Sequence, residues 1–205
     1  MTNLEPGYPS EWGTFCSHAS NTGAEFFGFA KPLPEVNRFA ARFRAANAFR
    51  GISLEGYSAS TASGYASLCR VLFVYSAFEA FLDVIGSTQA AIGPDLQAHG
   101  AIELLNNLRA SDTENRFYLF IQQRVNPIHQ RELQNYFNDD PCNVAYLASA
   151  IRHIFAHGWL TPNAGGGEAS SAASVCNAVC DFLLSFMDAQ FSVRIVNGMD
   201  ELHGP

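Results

Sequence analysis

The chain is predicted to fold as an all-α helical bundle. Three observations carry that expectation: apolar residues recur at helical spacing, start and stop residues bracket those runs, and two or three long helical segments alternate with short ones without any internal repeat. With 205 residues and a 48% hydrophobic fraction, the chain is large enough for one sizeable core. One bundle domain over residues 34–205 is therefore expected, preceded by an arm over residues 1–33.

That arm is rich in Gly, Pro, Ser and aromatics (Trp12, Phe15, Phe26, Phe27, Phe29) without a sustained period. It reads as irregular chain whose rings pack on the body. Pro34 suits a first helical turn, and the segment from there to Arg50 is made of good helix formers before Gly51 stops it. From about Ser60 to Ile85 the sequence is apolar on nearly all sides, which marks a central helix enclosed by neighbours and ended by Gly86. Shorter helices are expected at Gly100 to Arg109, at Asp112 to Val125 with Asp112 as N-cap, and at Pro127 to Phe137. Asp140 and Pro141 are expected to open the next helix, which runs to His157 and stops at Gly158. After a glycine-rich connector, Ala172 to about Gln190 carries Val175, Val179, Leu183, Phe186 and Met187 at helical spacing. Phe191, Val193 and Ile195 then alternate with Ser192, Arg194 and Val196, a pattern that allows a short extended tail.

Composition narrows the function classes. Ser76, Glu79 and Asp83 interrupt the most apolar region, so no stretch approaches the ~18 apolar residues of a membrane span, and a protein without a membrane partner is expected. The N-terminus has neither the basic start nor the apolar run of a secretory signal, and a cytoplasmic location is the expectation that follows. Five cysteines at irregular spacing (Cys16, Cys69, Cys142, Cys176, Cys180) suit reduced thiols better than a disulfide framework. The net charge of −7 means that any polyanion must be held by a local patch. Of the 12 basic residues all but Lys31 are arginine, the planar cation that pairs with phosphate or carboxylate; genomic base composition would produce the same bias.

The helix ending at His157 is the most informative element. At about 100° per residue, Val144, Leu147, Ala148, Ile151 and Phe155 fall on one face. Arg152 lies at the edge of that stripe, while His153 and His157, one turn apart, lie opposite it. Arg152 and His157 are separated by about 140°, so both reach one substrate most easily where the bundle is split or a second subunit meets it. Tyr146, Ala150, His153 and His157 form a second seam, expected at or beside a two-fold interface because Ala150 is small.

The run Arg152-His153-Ile154-Phe155-Ala156-His157 resembles the arginine, polar residue, three more, histidine signature of HEPN domains, small helical bundles many of which are metal-independent ribonucleases. The long apolar helix over 60–86 is similar to the family's first bundle helix, and the resemblance covers residues 60–86 and 141–160. It implies an HEPN-like up-and-down bundle, RNA as the partner, a homodimer with a composite site, and no metal or other cofactor. A toxin or defence effector held by an antitoxin or other neutralising protein fits the same family. Arg152 would stabilise a phosphate in its transition state, His157 would act as general acid or base, and His153 would assist. Glu79 would lie near the arginine, as an acidic residue on that helix often does in these nucleases. A subfamily carries a tyrosine two residues after the histidine as a target for nucleotide transfer; here Trp159 stands in its place and has no hydroxyl.

Competing readings stand beside these. Glu79, set among Ser76, Ala77, Phe78, Ala80 and Phe81, is expected to be buried against Arg152, or else to sit at a solvated edge or pair with Arg70. His153 and His157 at i, i+4 have zinc-ligand spacing but would need further donors, with His129, Cys142 or Glu79 the obvious ones. Arg38, Arg42, Arg44 and Arg50 interleave with Phe39, Phe43 and Phe49, as in an amphipathic helix or a phosphate-docking surface. Gly165 to Gly167 lack the preceding strand and following lysine of a phosphate loop. The expected activity is endoribonuclease cleavage by attack of a ribose 2′-OH; the alternative is a non-catalytic RNA- or protein-binding regulatory module.

Overall fold

Several helices begin at side-chain caps, and left-handed glycines follow the ends of others. A computed structural model describes residues 7–203, and the described chain is all-helical: α1 (Trp12–Thr22), α2 (Leu33–Ala48), α3 (Ala59–Val84), α4 (Gly93–Ala98), α5 (Ala101–Ser111), α6 (Arg116–Gln122), α7 (Pro127–Phe137), α8 (Val144–Ala156) and α9 (Ala169–His203). Two 3₁₀ turns lie at Glu25–Phe27 and Ala164–Gly166. The Ser58 side chain caps α3 by accepting from the Thr61 N–H, and Asn126 caps α7 by accepting from Ile128 and His129.

Helix α3 is the axis of the bundle, with α2, α8 and α9 packed around it. That surround explains a helix apolar on nearly every side. Val71, Val74, Phe78 and Phe81 of α3 meet a core that includes Val179, Leu183, Phe186 and Met187 of α9, all at most 1% exposed. Cys176 and Cys180 are buried in the same core, as their shared helical face predicts, and burial raises both thiols. On length and composition alone α9 could cross a membrane, but more than half of its most apolar stretch is buried in the fold.

Several boundaries differ from expectation for identifiable reasons. Residues 1–33 were expected to be irregular; the described part contains α1, whose Phe15 and Ala19 are buried. Tertiary packing stabilises that helix in the absence of a strong local pattern, and the Trp12, Phe15 and Phe29 rings gather around Phe191. The alternating residues 191–196 do not form an extended tail. They continue α9, with Phe191 and Ile195, one turn apart, both buried while Val193 and Val196 face outward. Helix α8 begins at Val144 rather than Pro141, because Asn143 and not Asp140 supplies the cap. Asp112 lies before α6 rather than at its cap position, yet its carboxylate accepts from the Arg116 and Phe117 N–H groups and so ties down the first turn. Helix α4, six residues with a Gly-Pro start, is an addition to the expected elements.

The connector after α8 is pinned where it crosses α3. A Cβ at Gly64 would lie 2.5 Å from Cβ of Pro162, so only glycine permits this approach. Closeness there fixes the path of the chain leaving the candidate site.

Candidate functional site at the end of α8

Helix α8 is held at its start by Asn143, whose side-chain oxygen accepts from Ala145 N–H at 3.0 Å while its amide donates to the Gln89 carbonyl at 2.8 Å. The Asn143 backbone N–H donates to Glu132 at 3.0 Å. Val144, Leu147, Ala148 and Ile151 are then buried as predicted, and Phe155 is partly buried against the core. The opposite side carries Ser149, Arg152 and His153, with α3 and α7 as neighbours of the helix.

At its C-terminal end, Gly158 adopts φ +76° and the chain reverses. The Gly158 N–H donates to Phe155 O at 2.9 Å and the Trp159 N–H to Ile154 O at 3.2 Å, the paired bonds of a Schellman termination. His157 is the exposed C-cap residue, its N–H donating to His153 O at 3.2 Å. Lying past the last helical residue, it swings its ring against His153 with centroids 4.5 Å apart and planes at 67°. The two imidazoles thus form one pair at the mouth of the helix, where the partial negative charge of the helix end favours cations.

Arg152 sits beside this pair. Its Nη2 is 3.8 Å from Oε2 of Glu79, and its Cζ lies 6.0 Å from the Tyr75 ring centroid. Both ends of the ion pair are open to solvent, with side chains 43% and 51% exposed. The expected partnership of Glu79 with Arg152 is present, but Glu79 is not buried, because none of the helices around α3 covers that strip of it. Arg70, the other partner considered for Glu79, bonds instead to Asp181 at 2.6 Å and Asn177 at 3.2 Å.

Residues not anticipated as site components line the other side. The buried Tyr75 hydroxyl donates to Gln89 Oε1 at 3.0 Å, and burial pushes the phenol up to about 12. His129, considered only as a metal donor, is fixed at both nitrogens: Nδ1 lies 2.8 Å from Asn126 Oδ1 and Nε2 lies 3.0 Å from Ser149 Oγ. Because Asn126 Oδ1 already accepts two backbone N–H bonds, it is an acceptor, so Nδ1 carries the proton and Nε2 accepts from the serine. Burial, then the charge of His153, lowers the affinity of His129 for a second proton. His153 is lowered in the same direction by burial, by His157 and by Arg152. Burial first, and neighbouring charge second, therefore keep His153 and His129 neutral further into acid than isolated imidazoles.

Other candidates resolve differently. Ala150 is fully buried within the chain and so is not itself a contact residue, while Tyr146 and His153 of the same seam are partly exposed. An arginine there would collide with the core and report folding, not assembly. Cys142 is 3% exposed with its thiol pushed up to about 12, and among the described residues no group of three His, Cys, Asp or Glu side chains is placed to hold a metal ion. Phe39 and Phe43 of α2 are buried while Arg38 and Arg42 are exposed and Arg38 pairs with Glu35, the arrangement of an amphipathic helix.

The chain matches no protein-family model, no curated protein and no solved structure.

Proposed function

We propose that the chain is an endoribonuclease of HEPN type, using the α8 end to cleave RNA by internal transfer, as a toxin or defence effector would. One observation carries this reading: a guanidinium and two touching imidazoles stand together at an exposed helix end, with the guanidinium held by a long, solvated contact to Glu79 and lying over the Tyr75 ring. A phosphate can displace that contact at little cost, since exposed pairs of this kind contribute about 0–1 kcal/mol.

The chemistry follows from the groups. A neutral imidazole takes the proton from a ribose 2′-OH, whose oxygen attacks the adjacent phosphorus. The bond from phosphorus to the 5′-oxygen breaks, and an imidazolium returns a proton to that oxygen. Arg152 neutralises the charge that develops on the phosphorane oxygens. The products are a 2′,3′-cyclic phosphate and a 5′-hydroxyl. His157, the more exposed of the pair, is the acid or base that meets the substrate; His153 is its neighbour and modulator; Glu79 holds Arg152 over the site. A homodimer pairing two α8 ends would supply a second arginine and histidine pair, and a neutralising protein would act by covering this end.

End-group analysis of a single-stranded RNA incubated with the purified protein tests the proposal. Cyclic phosphate ends, an uncut all-deoxy strand and indifference to EDTA are expected. EDTA-sensitive cleavage with 3′-hydroxyl ends would point to metal chemistry at the histidine pair, and uncut RNA would leave a non-catalytic RNA- or protein-binding module.

A further inference from the structure

Trp159 follows His157 by two residues, and its backbone is locked by the Schellman bonds at the end of α8. A residue at this position ordinarily packs its side chain back on the helix, toward Ile154 here. Trp159 does not complete that packing: it is 59% exposed, the second most exposed large apolar residue of the described chain after Ile102. Its successor Leu160 is buried, so the chain is anchored immediately beyond it. No aromatic or cationic partner covers the indole among the described residues. The result is a large flat ring carried on a rigid turn, its Cα within about 7 Å of the His157 Cα by chain geometry, at the same helix end that carries Arg152.

A flat, solvated aromatic on a fixed backbone, at the helix end that carries an arginine and an imidazole pair, is an arrangement suited to unpaired bases. Stacking on such a ring is tolerant of sequence, requires a base freed from its complement, and works alongside cations that hold the backbone. We propose that Trp159 is a stacking platform for an unpaired base flanking the bound phosphate, so that the ligand of this site is single-stranded and not duplex nucleic acid. This rests on the ribonuclease reading for its substrate, but not for its binding signal, because the stacked base need carry no 2′-OH.

The test uses the intact protein and its own fluorescence. The chain has 2 tryptophans in contrasting settings. Trp12 stacks on Tyr8 and packs against Phe15 and Phe191, whereas Trp159 faces water. Titrating a ten-nucleotide mixed-sequence DNA strand, which cannot undergo 2′-OH attack, should quench the solvent-exposed emission. The same sequence as a duplex should quench at least tenfold more weakly. His157→Ala should retain the quench, and in the variants that lack the reporting indole binding is read from the anisotropy of a dye-labelled copy of the same strand: Trp159→Ala should bind it about tenfold more weakly than the wild type, and Trp159→Phe should recover most of that loss. No quench by the single strand, equal affinity in Trp159→Ala, or equal binding of duplex would overturn the platform. The two readings separate cleanly: quench without any RNA cleavage removes the ribonuclease and leaves the platform, while RNA cleavage unchanged in Trp159→Ala removes the platform and leaves the ribonuclease.

Discussion

At the scale of single residues, the environment of the α8 end decides what each group can do. Glu79 shows how a local pattern misleads: neighbours Phe78 and Phe81 are fully buried, but on a helix the intervening carboxylate points elsewhere, into a strip left open to solvent. Replacing Glu79 with Gln should accordingly change the unfolding free energy by less than about 1 kcal/mol in a urea series, as for other exposed pairs; a loss of about 3 kcal/mol would show a buried charge. His153 offers a sharper check. Its neutral form is favoured by burial and by the charges of His157 and Arg152, so its NMR titration midpoint should lie below 6.5 and rise in His157→Ala. Because the folded value is the lower one, the stability this group contributes is present above pH 6.5 and is lost as the pH falls through the folded midpoint. A midpoint that does not move in His157→Ala would mean that the imidazole pair does not form in solution.

At the scale of elements, the sequence was most legible where chemistry is local. Gly158 announced the end of α8 because a left-handed residue is needed there, and Pro127 marked the start of α7 in register with its Asn126 cap. The beginning of α8 was misplaced because Asp140-Pro141 has the local form of a start, whereas Asn143 is fixed by distant partners, Gln89 and Glu132. The C-terminal half of α9 was ambiguous for a different reason: residues 191, 193 and 195 fit a period of two, and only the ring cluster around Phe191 selects the helix. Asn143→Ala removes the cap and the bond to Gln89 together, and should lower the unfolding free energy by about 1–2 kcal/mol, read as a shift in denaturation midpoint with an unchanged slope. No measurable shift would mean that this cap does not support the helix carrying the site.

For the whole molecule, the all-α bundle followed from periodicity and caps, and the positions of Arg152, His153 and His157 at one helix end followed from their spacing. What could not be read was the company they keep. Tyr75, His129 and Ser149 approach from separate elements across the fold, and no local signal ties residue 75 or 129 to residue 149. The same long-range packing buries Ala150 and leaves Tyr146, His153 and His157 as the exposed or partly exposed residues of that seam. A homodimer built there should be populated at tens of micromolar in sedimentation velocity, the range in which an interface of ordinary size persists. A monomer that nevertheless cuts RNA would show that one protomer holds a sufficient site.

The claim that His157 transfers a proton to or from the substrate is tested most directly by single-turnover cleavage of a single-stranded RNA with the wild type and His157→Ala, each with and without EDTA. Because His157 is exposed and outside the core, the variant should remain folded by circular dichroism while its rate falls by about 10² to 10⁴-fold, and EDTA should leave the wild-type rate unchanged. A folded His157→Ala protein that cleaves at the wild-type rate would contradict the account.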